Sequence, residues 1–124
     1  MAINHKMDAV GQQGDVVDAL ERAAEWLPVG SLVSLHDAER LYLIAGVMVW
    51  DVKGRRFWDY MGYPYPEGIS DGTPDAFFDK DMIDSIVQVG FFNQATMAFN
   101  LQIGMMSDQF DTARAENEKP GKEG

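Results

Sequence analysis

The chain is predicted to fold as one α+β domain, a small bent antiparallel sheet or half-barrel of about four strands with an N-terminal helix and a long C-terminal helix. Three observations predict this. Apolar residues recur at helical spacings between 15 and 27, fall into strand-like runs parted by polar turns between 31 and 61, and return to helical spacing from 91 to 110. With 124 residues, 46% hydrophobic and 24% charged, the chain has the size and composition of a single folded domain.

Residues 1–14 are polar, contain Gly11 and Gly14, and are expected to be flexible. The domain is expected over 15–110. Asp15 can cap a first helix in which Val16, Leu20, Ala23, Ala24 and Leu27 share a face, with Asp18, Glu21, Arg22 and Glu25 on the wet side; Pro28 and Gly30 end it. Leu32, Val33 and Leu35 then make a strand, and His36-Asp37-Ala38-Glu39 a turn. Arg40 to Asp51 reads as a second strand bent or bulged at Gly46. Lys53-Gly54-Arg55 turns the chain into a third strand from Arg56 to Met61.

The stretch from Trp58 to Gly68 gathers Trp58, Tyr60, Tyr63 and Tyr65 with two prolines and two glycines, and is expected to leave the sheet as a preorganised aromatic loop. Residues 69–74 are loop formers, and Phe77 and Phe78 return to the core. Asp79 caps a single helical turn, and Ile83 to Val89 form a fourth strand that Gly90 breaks. From Phe92 to Phe110, the residues Phe92, Ala95, Phe99, Ile103, Met106 and Phe110 form a heptad-like stripe over roughly 28 Å of helix at about 1.5 Å per residue. Phe91, Ala98, Leu101 and Met105 widen it. Residues 111–124 are polar with mixed charge and are expected to be disordered.

Charge and composition narrow the function. Twenty acidic and ten basic residues give a net charge of -10. Glu67, Asp71, Asp75, Asp79, Asp81 and Asp84 stand against Lys80 alone in one segment, which disfavours nucleic acid as a ligand and favours solubility or a basic protein partner. The absence of cysteine excludes disulfides, thiolate catalysis and sulfur-built zinc sites. No window approaches the roughly 18 consecutive apolar residues of a membrane span, and residues 1–13 lack a secretory core, so a cytoplasmic protein is expected.

No catalytic constellation, metal site or cofactor site emerges. Asp79, Asp81 and Asp84 lack the donor run and closing glutamate of a calcium loop. His36 beside Asp37 supplies neither nucleophile nor pocket, and Gly11 with Gly14 lacks the remainder of a phosphate loop. The partner-binding candidates are Trp58, Tyr60, Tyr63, Tyr65 and Glu67 in the aromatic segment, and Phe99, Ile103, Met106 and Phe110 on the C-terminal helix.

Four motifs occur in order: Leu27-Pro28-Val29-Gly30-Ser31-Leu32-Val33; Leu43-Ile44-Ala45-Gly46; Asp59-Tyr60-Met61-Gly62 with Tyr65-Pro66-Glu67-Gly68; and Phe77-Phe78 with Asp81-Met82-Ile83-Asp84 leading to Gly90. Over about 27–90 this resembles a family of small bacterial proteins, the domain of unknown function numbered 4176. The resemblance implies a Gram-positive host and a gene neighbourhood of type VII secretion and exported polymorphic toxins, and it brings no catalytic residues. The expected function is therefore a non-enzymatic protein-binding domain, either an immunity protein against a toxin or an adaptor for a secretion substrate. Two alternatives stand beside it. One is a small-ligand or enzymatic module using the aromatic barrel end, with Asp59 or His36 as polar anchor; the other is a structural protein that self-associates, as a homodimer through the C-terminal helix.

Overall fold

The structure, a computed structural model, describes residues 17–119. The expected flexible segment 1–14, the Asp15 cap, Val16 and the last residues of the tail lie outside them. Five antiparallel strands form one open sheet in the order β4-β3-β2-β1-β5: β1 Leu32–Leu35, β2 Leu41–Asp51, β3 Arg56–Tyr65, β4 Ala76–Phe78 and β5 Ile83–Gln88. Helix α1 spans 17–23, and α2 spans Gln94–Asn117. The α+β class and the two flanking helices agree with the sequence, while the strands among the described residues number five and the sheet is open.

Two hairpins build the centre of the sheet. The β1–β2 turn passes through Asp37 with φ 63°, and the β2–β3 turn through Arg55 with φ 55°, whose N–H donates to the Asp51 carbonyl at 2.7 Å. The β2–β3 register shifts between Ile44 and Gly46, where the glycine suggested a bulge. Strand β3 runs on through Tyr65 and does not end at Met61, so Tyr63, Pro64 and Tyr65 are strand residues opposite Leu43, Tyr42 and Leu41. Gly62 permits this pairing: a Cβ there would lie 2.5 Å from the Leu43 carbonyl oxygen. The short strand β4 is the other departure. Phe77 and Phe78 pair with Met61 and Tyr60, an edge contact too brief to show as a period in the sequence.

Trp26, Val33, Ile44, Tyr60, Phe78, Ile103 and Phe110 form the buried core. Its aromatics meet edge to face, with Trp26 5.6 Å from Tyr60 and 6.0 Å from Phe110, and Phe57 5.7 Å from Phe110, a favoured ring geometry. Phe57 and Tyr60 both turn toward the helices although they stand three positions apart, which regular alternation would put on opposite faces, so strand alternation breaks between them. Trp58 stacks instead on Phe77 at 6.2 Å.

Asn93 caps α2, its side chain accepting the Thr96 N–H at 3.0 Å. The helix does not stop at Phe110. It continues to Asn117 because Arg114 and Asn117 are anchored to the sheet, and the expected disordered tail therefore begins as helix. The predicted stripe is corrected too. The buried residues of α2 are Asn100, Ile103, Gly104, Ser107 and Phe110, while Phe99 and Met106 are exposed. Gly104 sits where α1 crosses, since a Cβ there would lie 2.7 Å from Ala23 N and 3.0 Å from Ala19 O. The buried Asn100 and Ser107 of α2 are hydrogen-bonded: Asn100 Nδ2 donates to the Trp26 carbonyl at 3.2 Å, and Trp26 Nε1 donates to Ser107 Oγ at 3.2 Å, while Arg114 Nε is buried without a partner among the described residues. Small and hydrogen-bonded residues thus occupy the inner face, which leaves several large apolar ones outside.

Candidate functional site

Two buried polar devices set the positions of the exposed surfaces. The first explains the Leu-Pro-Val-Gly-Ser motif. Ser31, fully buried, donates from Oγ to the Pro28 carbonyl at 2.7 Å and accepts the Gly90 N–H at 2.9 Å. Gly30, with φ 98°, lets the chain double back, and no side chain fits at residue 90, where a Cβ would lie 2.6 Å from the Val29 carbonyl oxygen. The end of β5 is thereby clamped to the start of β1, and the following segment delivers Phe91 and Phe92 to the surface. Beside this clamp the Tyr60 hydroxyl accepts the Leu27 N–H at 2.9 Å, and burial pushes the phenol up to about 12.

The second device is ionic. Arg114 Nη2 donates to Asp59 Oδ1 at 3.1 Å and to Asp79 Oδ1 at 3.0 Å, while Arg56 Nη2 holds Asp79 Oδ2 at 3.1 Å. Asp79 Oδ1 also accepts the Asp59 N–H, and Asp59 Oδ2 accepts the Lys80 N–H, both at 2.9 Å. The guanidinium of Arg56 lies 3.6 Å over the Trp58 ring, and the Lys80 ammonium 3.7 Å over the Trp26 ring. Desolvation is the main influence on Lys80 and pulls its ammonium below the ordinary range, against nearby Asp59, Glu25 and Asp111. Both carboxylates and both guanidinium groups are paired, so the cluster reads as a brace between the sheet and the end of α2.

The predicted site residues scatter. Tyr60, Ile103 and Phe110 are core residues and offer nothing to a partner. Trp58 is half-buried between Arg56 and Phe77. Tyr63, half-buried, bonds through its hydroxyl to Asp75, which pushes the phenol up. Tyr65 is exposed, and Glu67 is exposed and paired with Arg40. The aromatics therefore share no mouth. Asp59, the supposed anchor, is spent on Arg114 and Lys80, and exposed His36 has Asp84 at 3.5 Å. Among the described residues, no group of His, Asp and Glu is placed to hold a metal ion, and no helix is long and apolar enough to cross a membrane.

Phe99 and Met106 belong to a larger exposed apolar surface that the sequence only partly disclosed. A cleft of about 360 Å³ runs between α1, the Trp26–Pro28 turn and the first half of α2, lined by Leu20, Leu27, Val89, Phe92, Met97 and Leu101 among others. Leu20, expected in the core, is 47% exposed at this cleft. Phe91 beside it is 80% exposed and Met105 69%. The missed signal was charge: no Asp, Glu, Lys or Arg occurs from Ser85 to Ser107.

The molecule is thus a small α+β domain with an open antiparallel sheet, a braced C-terminal helix and an uncharged apolar flank. The family described as domain of unknown function (DUF4176) matches residues 26–99, and the chain belongs to that family. No curated protein and no solved structure matched the chain. The matched span holds the Ser31 clamp and ends within α2, so Ile103, Gly104, Phe110 and Arg114 lie beyond it.

Proposed function

We propose that the protein is a non-enzymatic, cytoplasmic protein-binding domain serving as an immunity protein or as an adaptor for an exported substrate of a type VII secretion or toxin locus. One observation carries the binding reading: large apolar side chains crowd an uncharged flank and line an open cleft, where a soluble monomer ordinarily exposes patches of no more than a few hundred Å². Family membership supports the choice of locus through the gene neighbourhood the resemblance implies. Of the side chains that could have served chemistry, Asp59 and Asp79 are bonded within the brace and the Lys80 ammonium lies over the Trp26 ring, which favours binding over catalysis.

Co-expression with the secreted protein encoded beside it tests the reading. A stoichiometric complex that Phe92→Glu or Met97→Glu disrupts without unfolding the domain is the expected result. Absence of any complex with the neighbouring protein, at concentrations where both are folded, would refute it. A toxicity assay on the complex then separates neutralisation from escort.

A further inference from the structure

We propose that the free protein is a symmetric homodimer in which a second copy covers the uncharged flank, an inference that rests on the protein-binding reading and names what occupies the surface when no other partner is present. The flank has three consecutive parts. Strand β5, at the sheet edge, presents Val87, and the linker after it presents Val89, Phe91 and Phe92. The first half of α2 adds Met97, Phe99, Met105 and Met106. Their exposures run from 43% to 80%. At 150–250 Å² for a large side chain, these amount to an accessible area on the order of 900 Å². A standard interface buries about 800 Å² per partner, so the flank is the right size for one copy.

Charge decides between a second copy and a basic protein. The chain carries a net charge of -10, which would repel a like molecule wherever acids met acids, yet no ionisable residue lies between Asp84 and Asp108. A surface shaped to attract cations would place carboxylates in its contact face; this one places Phe and Met there. Charge depletion with aromatic and Met enrichment marks the centre of homodimer interfaces, and an apolar face without charge is complementary to itself under a two-fold axis. The acids at Asp84 and Asp108 then fall to the rim.

The contact is made by side chains, not by extending the sheet. β5 has register shifts against β1 at two points and carries Asp84, which makes its free edge a poor ladder template. The opposite edge, β4, spans only Ala76–Phe78.

Size-exclusion chromatography with light scattering on the full chain tests the proposal. Wild type at about 100 μM should elute at twice its 13.9 kDa mass. Phe91→Glu and Met105→Glu, at the two most exposed positions of the flank, should each weaken self-association by about 30-fold or more while the far-ultraviolet circular dichroism and urea midpoint stay as in wild type. A monomeric wild type overturns the dimer. If that monomer still captures the neighbouring secreted protein, the binding function survives it; if it captures nothing, both fall. A dimer that both substitutions leave intact overturns the assignment of this surface.

Discussion

Replacing Arg114 by Met should destabilise the domain by about 2–4 kcal/mol, although the residue lies beyond the span that matches the family. Arg114 Nη2 serves Asp59 at 3.1 Å and Asp79 at 3.0 Å, and the side chains of the three are 23%, 11% and 18% exposed. Removing one member of a well-buried ion pair typically costs 3–5 kcal/mol, because the remaining charge has lost both water and partner. Here the loss is moderated. Asp59 keeps the Lys80 N–H at 2.9 Å, and Asp79 keeps Arg56 at 3.1 Å and the Asp59 N–H at 2.9 Å. Against a total of 5–15 kcal/mol for an ordinary domain, such a loss lowers the urea midpoint visibly with little change in slope. Asp79→Asn in the Arg114→Met background should cost less than in wild type, with a coupling of at least about 1 kcal/mol. A chain ending at Phe110 should lose as much as Arg114→Met or more, since Asn117 Nδ2 also donates to the Arg55 carbonyl at 3.1 Å. A loss under about 1 kcal/mol for Arg114→Met, or strict additivity with Asp79→Asn, would show that the brace does not hold the helix.

Three further outcomes are expected. Tyr60, raised from 10.0 to about 12 chiefly by burial, should contribute stability that is complete below the unfolded value and is lost as pH rises through the folded one, amounting to about 2–3 kcal/mol. Tyr60→Phe should flatten that alkaline slope in urea titrations and, by stranding the Leu27 N–H, cost about 1–3 kcal/mol at neutral pH; an unchanged slope would refute the assignment. Ser31→Ala leaves the Gly90 N–H and the Pro28 carbonyl without the hydroxyl, so the Gly90 amide should exchange faster and stability fall by about 1–3 kcal/mol. Gly104→Ala puts a Cβ 2.7 Å from Ala23 N, and the resulting shift of α1 should cost about 1–3 kcal/mol and raise hydrogen exchange over 17–23.

Where each element's signal was local, the sequence was sufficient. Alternation and turn residues placed β1, β2 and the start of β3, and Gly46 marked the bulge, because each follows from a few neighbouring residues. The continuation of β3 through Pro64 was hidden because proline and glycine argue for a loop, while the cause of the pairing lies in the opposing strand at Leu43. Strand β4 was hidden by its length. The end of α2 was hidden because polar residues after Asp111 resemble a tail until Asp59 and Asp79, distant in sequence, supply the charges that hold Arg114. Aromatic density likewise pointed to Tyr60 as a binding residue, whereas its hydroxyl has a partner in Leu27 and its ring belongs to the core.

The helix stripe failed for a reason that bears on function. A heptad reading assumes that apolar residues define the inner face, but α2 approaches α1 closely at Gly104 and reaches Trp26 through Asn100 and Ser107. Those contacts select small and hydrogen-bonding side chains, so Ile103 and Phe110 suffice to fill the core from this helix. Met97, Phe99, Met105 and Met106 are left 43–69% exposed, and water opposes keeping that surface exposed at a rate of about 25 cal/mol per Å² of apolar area. Their exposure directs the search for a purpose to whatever covers them, which we propose is a second copy in the free protein and a neighbouring protein in the complex.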